Sequence, residues 1–252
     1  MKNIIKIYYS VLLFVLFSGG FAQFGQNIVQ YDDFEWYYIQ SPHFDIYYYE
    51  PGKEHAEFVA SEAEVAFDVI SKHLDWRLTK RYSIIIYNSH NDFQQTNVVD
   101  SYMYEGIGGV TELFKTRVVI PFDGSRKEFK HVIHHELVHM FINDYMYGGS
   151  LQNMITSQIS YAIPLWMNEG LAEYIADRWG TKSDMWVRDL ALNGETLPNI
   201  NQLNGYLAYR GGQSVWKFIT GKWGDESIAE VFYQIKKKKS VSGGVRAALG
   251  LK

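Results

Sequence analysis

The middle of the sequence predicts one long helix that is sharply bounded at both ends. Ser125-Arg126-Lys127-Glu128 has the form of a capping box, in which Ser125 is the N-cap and Glu128 follows three residues later. Gly148-Gly149 stands where such a helix would stop. We therefore expect an uninterrupted helix from the capping box to about Tyr147.

This helix carries His135-Glu136-Leu137-Val138-His139. Residues four apart on an α-helix differ by about 40° in direction and about 6 Å in height, so both imidazoles point to one place. Such a pair can ligate one zinc ion, and Glu136 is near enough to take a proton from a metal-bound water without ligating. The alternative, a helix with two ordinary histidines, is disfavoured by the apolar flanks of the motif.

The sequence contains no cysteine, so a disulfide, a thiolate ligand and a cysteine nucleophile are all excluded. A zinc site that hydrolyses a substrate needs a third protein ligand, which must here be histidine or carboxylate. The candidate is Glu169, in a helix that Pro164 opens and that ends near Gly180. Gly170 costs about 1 kcal/mol relative to alanine inside a helix, and close helix packing near the metal would explain it.

Three neighbouring residues leave alternatives open. Glu173, four residues after Glu169, is expected either to accept a hydrogen bond from a zinc-bound imidazole or to be a solvated surface carboxylate, with equal weight. His134 is rotated by about 100° from His135 and should face away from the metal. His131 lies one turn earlier, and a packed or exposed histidine is favoured over a role beside the metal.

The remaining segments predict an α+β fold with a β-rich first half and a helical second half. The predicted strands are Tyr37 to Gln40, Phe44 to Tyr48, Tyr82 to Tyr87, Gly106 to Leu113 and Arg117 to Pro121. Further helices are predicted from Lys53 to Leu74, near Gly212 to Thr220 and near Glu226 to Lys237.

Residues 1–22 have the pattern of a secretory signal peptide. Lys2 and Lys6 precede an apolar stretch from Ile7 to Phe17, and small residues lead to a predicted cleavage after Ala22. The mature chain is then expected to be secreted or periplasmic, and an uncleaved anchor helix is the alternative. No later segment is apolar enough to span a membrane. A net charge of -4 gives no basic surplus for nucleic acid.

The two motifs together resemble the gluzincin metallopeptidases, which include thermolysin and related aminopeptidases. His135-Glu136-x-x-His139 followed by Asn168-Glu169-Gly170 has the order of their zinc site. The resemblance implies a zincin-like fold, Glu169 as the third zinc ligand and Glu173 as the hydrogen-bond partner of a ligand. Thirty positions separate His139 from Glu169, more than in the best-known gluzincins, and an insertion around residues 146–163 would account for the difference.

The same resemblance extends to a tyrosine and an edge strand. Tyr209-Arg210-Gly211-Gly212 is similar to the Tyr-x-x-Gly of the aminopeptidases, which implies that Tyr209 stabilises the oxyanion. Tyr206 competes for this role, and a packed core tyrosine is the alternative. Gly109-Val110-Thr111-Glu112 stands at the place of their Gly-x-Met-Glu-Asn strand but lacks the Met and Asn, so aminopeptidase specificity is not expected. This strand could still bind an extended peptide by edge pairing.

The overall likeness is to the peptidase-MA-like domain of exported bacterial proteins, and it covers nearly all of residues 23–252. Many relatives carry a TolB-like β-propeller after this domain, which leaves open that the domain is C-terminally incomplete here. We therefore expect a zinc metallopeptidase acting on peptides or proteins, with an unknown oligomeric state. The alternative is a peptidase-like module that binds peptides or cell-envelope partners without turnover, although such a module would have no need of Glu136.

Overall fold

A computed structural model describes residues 30–78, 80–97, 103–112, 117–148, 162–194 and 197–251. The predicted signal peptide and residues 149–161 of the predicted insertion lie outside these ranges. The strands are β1 (Tyr37–Gln40), β2 (Phe44–Tyr48), β3 (Tyr82–Tyr87), β4 (Val110–Thr111) and β5 (Arg117–Pro121). The helices are α1 (Lys53–Leu74), α2 (His90–Phe93), α3 (Arg126–Tyr147), α4 (Leu165–Asp177), α5 (Thr181–Asn193), α6 (Tyr206–Trp223), α7 (Ser227–Lys238) and α8 (Val241–Leu249), with a 3-10 turn at Ile200–Gln202.

The five strands form one mixed sheet in the order β1-β2-β3-β5-β4. The three inner strands are parallel, and the two outer pairs, β1-β2 and β4-β5, are antiparallel. Ile84 in the central strand lies between Ile46 of β2 and Val118 of β5, and all three are fully buried. Strands and helices together give the predicted α+β class.

Helix α3 crosses the interior of the molecule. Ser125 caps its first turn, because the Ser125 hydroxyl accepts the backbone N–H of Glu128 at 3.3 Å. Gly148 ends it in the left-handed conformation, with φ of 61°, and donates its N–H to the Asp144 carbonyl. The helix is buried almost continuously from Ile133 onward, so polar side chains in its centre must find partners inside the protein.

Asp144 illustrates this requirement near the end of α3. Its carboxylate is buried and accepts the Tyr82 hydroxyl at 2.6 Å and the Trp76 indole N–H at 2.9 Å. The two donors come from strand β3 and from the segment after α1. These bonds fix the C-terminal end of α3 to the sheet layer and so help to set the position of the histidines earlier in the helix.

Helices α4 and α6 pack in backbone contact through two glycines. A methyl group on Gly170 would overlap the backbone of Gly212, and one on Gly212 would overlap the carbonyl oxygen of Trp166. The proposed reason for a glycine inside α4 is therefore confirmed. This close approach brings the side chains of α6 beside those of α4, including the pair Glu173 and Arg210.

We expect Gly170→Ala to destabilise the protein by about 1–3 kcal/mol or more, because the added methyl group must push two helices apart. Gly221→Ala is the matched control: Gly221 lies inside a helix too, α6, but nothing stands within 4 Å of an added Cβ. Its substitution should be neutral or stabilising, by up to about 1 kcal/mol from helix propensity. Urea unfolding of both variants measures the difference, and equal stabilities would show that the close contact is not needed.

The structure differs from the sequence predictions in the bounds of two elements and in two additional helices. The predicted strand from Gly106 shortens to Val110–Thr111, because residues 106–109 are not paired in the sheet. Helix α6 begins at Tyr206, six residues before the predicted start at Gly212. Helices α5 and α8 were not predicted. None of the described helices combines the length and the apolar character that crossing a membrane requires.

Candidate metal centre

Three predicted ligands converge between helices α3 and α4. His135 Nε2 lies 3.1 Å from His139 Nε2, and Glu169 Oε2 lies 3.2 Å from each of these nitrogens. Both imidazoles are buried and the carboxylate is nearly so. The structure thus brings together the three residues that the sequence proposed, and their donor atoms can hold a metal ion.

The spacing of these atoms can be compared with a tetrahedral site. Ligands at about 2.0–2.1 Å from a zinc ion stand roughly 3.3–3.4 Å apart when the angles are tetrahedral. The observed separations of 3.1 and 3.2 Å are close to this value. Two imidazoles and one carboxylate also form a donor set that zinc accepts in hydrolytic sites. The residues therefore fit a single ion of this kind.

Local structure explains how Glu169 reaches the histidines. Helix α4 starts directly after Pro164, whose carbonyl accepts the backbone N–H groups of Met167 and Asn168 at 3.0 and 3.1 Å. Glu169 therefore lies in the first turns of α4, where the helix packs against the centre of α3. The next residue is the glycine that contacts α6, so α4 is held from its other side as well.

The charges of the cluster favour a cation at its centre. Burial alone would raise the pKa of Glu169, but its hydrogen bonds to His135 and His139 hold that pKa well below its usual range. Burial alone would lower the pKa of His135, but its interactions with Glu169 and Glu173 reverse the effect and raise it. A positive charge close to these buried carboxylates is therefore stabilised.

Glu173 supports the cluster from the side. It is buried, with 4% of its surface exposed, and its Oε1 lies 3.1 Å from His135 Nδ1. Its other oxygen accepts the Arg210 guanidinium at 2.7 Å. Of the two alternatives from the sequence, the structure excludes a solvated surface carboxylate and places Glu173 beside the His135 imidazole. Such a partner orients an imidazole that ligates a metal.

His131 also belongs to this network, contrary to the favoured sequence interpretation. Its Nε2 lies 3.2 Å from Glu173 and its Nδ1 lies 3.2 Å from Asp177. Burial opposes a charge on this imidazole, but the two carboxylates outweigh it and raise the pKa of His131 to about 9. His134, by contrast, points away as predicted and contacts Glu62 of α1 at 3.3 Å.

His131, His135 and Glu173 form a second group whose atoms are close enough to hold a metal. Arg210 already supplies a positive charge to Glu173, through a buried ion pair. A metal ion bound by this group would stand beside that guanidinium and be repelled by it. Of the two groups, the cluster of His135, His139 and Glu169 is therefore the better candidate for holding a metal ion.

A cleft of about 580 Å³ opens beside the cluster. His135, Glu136 and Tyr209 are among the residues that line it, together with the glycine segment 106–109. The Tyr209 ring stacks almost parallel to that of His135, with an angle of 13° and centroids 5.9 Å apart. Burial and the nearby negative charge of Glu169 raise the pKa of Tyr209, so its hydroxyl keeps its proton.

Tyr206 lines the same cleft but is largely exposed, with 59% of its surface accessible. Its ring contacts Trp186 of α5 edge to face. Of the two competing tyrosines, Tyr209 is thus the one in contact with the metal cluster, and Tyr206 lies at the rim.

No protein-family model matches the chain, and no curated protein matches it. The resemblance to gluzincin peptidases therefore stays a prediction that rests on the motifs and on the site itself.

The sequence did not assign a role to two residues of the site. Thr111 donates its hydroxyl to Glu136, and Arg210 forms the buried ion pair with Glu173. A buried Glu173 requires polar or charged partners, and the close packing of α6 on α4 brings Arg210 to it. Nothing in the sequence relates Thr111 to Glu136, because the contact depends on how β4 lies against α3.

Proposed function

We propose that this protein is a zinc metallopeptidase of the gluzincin type, with a zincin-like fold, that hydrolyses peptide bonds in peptides or proteins. The observation that carries the proposal is the convergence of His135, His139 and Glu169 on one point next to Glu136 and an open cleft. We further propose that the protein acts outside the cytoplasm, which follows from the predicted signal peptide.

In this proposal His135, His139 and Glu169 hold the zinc ion, and Glu173 keeps the His135 imidazole in place. When bound, zinc acts as a Lewis acid that polarises a carbonyl and makes water more acidic. The Glu136 carboxylate, which faces the cleft, takes the proton of the attacking water as general base. It then delivers that proton to the leaving amine.

Tyr209 and β4 complete the proposed reaction site. The Tyr209 hydroxyl, held protonated beside the cleft, can donate a hydrogen bond to the developing oxyanion. Strand β4 stands at the edge of the sheet and adjoins the cleft through Gly108 and Gly109. No described strand pairs with the outer side of β4, and an extended peptide that paired there would lie with its backbone along the cleft.

The proposal is tested by measuring zinc and hydrolysis on the same sample of purified wild-type protein. We expect one zinc per chain by elemental analysis and cleavage of a mixed peptide library, followed by mass spectrometry. Removing the metal with a chelator should stop cleavage, and adding zinc should restore it. Protein that holds zinc but cleaves no peptide would favour the alternative of a binding module.

Tyr209→Phe should retain zinc and lower the rate of hydrolysis by a factor of about 10²–10³, the usual scale for loss of one oxyanion donor. Tyr206→Phe removes a hydroxyl from the rim of the same cleft and is the matched control, for which we expect nearly wild-type rates. A peptide from the library serves as the substrate at equal zinc occupancy. Equal effects in the two variants would argue against the role of Tyr209.

A further inference from the structure

A threonine on the edge strand contacts the proposed general base. The Thr111 hydroxyl lies 2.7 Å from Glu136 Oε2 and 3.0 Å from the Glu136 backbone carbonyl. A hydroxyl has one proton to donate, and the shorter contact assigns it to the carboxylate. Among the described residues, this is the one side-chain hydrogen bond to the Glu136 carboxylate.

The backbone next to Thr111 is shaped for this contact. A Cβ on Gly109 would stand 2.9 Å from Glu136 Cγ and 3.1 Å from Val132 Cγ1, and one on Gly108 would stand 3.2 Å from Val132 Cγ2. A Cβ at Gly109 would force Glu136 or the backbone to shift, and one at Gly108 would press on Val132. The two glycines therefore let β4 approach the helix closely enough for Thr111 to reach Glu136.

We propose that Thr111 is a positioning residue, which holds one oxygen of Glu136 so that the other faces the cleft. The inference rests on the proposed function, in which Glu136 takes the proton of the attacking water. A carboxylate on a flexible side chain can rotate, whereas one held by a charge-assisted hydrogen bond has a fixed orientation. The same short strand would then bind the substrate backbone and orient the base.

Thr111→Val removes the hydroxyl and keeps the size and branching of the side chain. We expect kcat to fall by about 10- to 100-fold, the range that corresponds to loss of a hydrogen bond to a charged group. KM should change by less than about 3-fold, because Thr111 acts on the base and not on the substrate. Thr111→Ser restores the hydroxyl and should recover most of the lost rate. Zinc content should match wild type in both variants, and the melting temperature of Thr111→Val should fall by no more than several degrees, the scale expected for one lost hydrogen bond.

Epistasis separates positioning from a general effect on the fold. Without the carboxylate, the hydroxyl has nothing catalytic to orient, so Thr111→Val should slow Glu136→Gln no further. A loss that is additive with Glu136→Gln, or one that Thr111→Ser fails to rescue, would overturn the inference. Unchanged kcat in Thr111→Val would overturn it as well and would leave the proposed peptidase activity intact.

Crystal structures of metal-free wild-type and Thr111→Val protein give a second readout that requires no activity. We expect the Glu136 carboxylate to keep a single orientation in wild type and to rotate or occupy several orientations in the variant. This measurement decides the matter even if wild-type protein cleaves no peptide, which would count against the proposed function. An identical Glu136 conformation in both structures would overturn the positioning role.

Discussion

Glu136→Gln should retain zinc and a native fold while losing peptide hydrolysis by a factor of at least about 10²–10⁴, the usual scale of general acid–base catalysis. Glutamine has nearly the same size and can still accept the Thr111 hydroxyl, so the contacts around the residue are preserved. It cannot take a proton from water at neutral pH. The substitution therefore removes the base without removing the metal site.

The measurement is turnover of a library peptide by each variant at matched zinc occupancy. Glu128→Gln is the control, because Glu128 lies exposed on the same helix and glutamine preserves its place in the first turn. We expect wild-type turnover from this control. If Glu136→Gln at full zinc content turned over the peptide as fast as wild type, the proposed mechanism would be refuted.

The convergence of His135 and His139 could be predicted from sequence because the geometry of this pair is local. Ser125 and Gly148 mark the two ends of a helix. Within that helix, the four-residue spacing of His135 and His139 places both imidazoles on the same face. The position of Glu169 required more, since thirty residues separate it from His139. Two features identified Glu169: the Asn168-Glu169-Gly170 motif, and the glycine itself, whose cost inside a helix is explained by close helix packing.

Features that depend on packing between distant elements could not be predicted in this way. The sequence predicts a helix that starts near Gly212, yet Gly211 and Gly212 lie inside α6, in tight contact with Leu203 and with α4. The sequence favoured a packed or exposed His131. Its carboxylate partners, Glu173 and Asp177, meet it only when α4 lies against α3, and a single sequence does not show that packing. A single sequence shows the side chains that can interact, but the approach of the helices selects the pairs that do.

Removal of one proposed zinc ligand should reduce hydrolysis as strongly as removal of the general base, but through loss of the metal. In His139→Ala and Glu169→Gln we expect zinc content to fall from one per chain to near zero after dialysis, and hydrolysis to fall with it. Glu57→Gln, an exposed carboxylate of α1, should keep full zinc content. Equal zinc in wild type and both ligand variants would show that the ion binds elsewhere or is absent.

Thermal stability provides an independent test of the same three ligands. An ion that binds only the folded protein stabilises it by RT ln(1 + [Zn]/Kd), about 4.1 kcal/mol at a free concentration 1,000 times Kd. Wild-type protein should therefore melt at a clearly lower temperature in the presence of a chelator than with zinc added.

His139→Ala creates a cavity and is expected to be less stable in any buffer, so its absolute melting temperature is uninformative. The difference between zinc and chelator is informative, because the cavity contributes to both measurements. That difference should be large in wild type and nearly vanish in His139→Ala and Glu169→Gln, whereas an undiminished difference in either variant would remove that residue from the metal site.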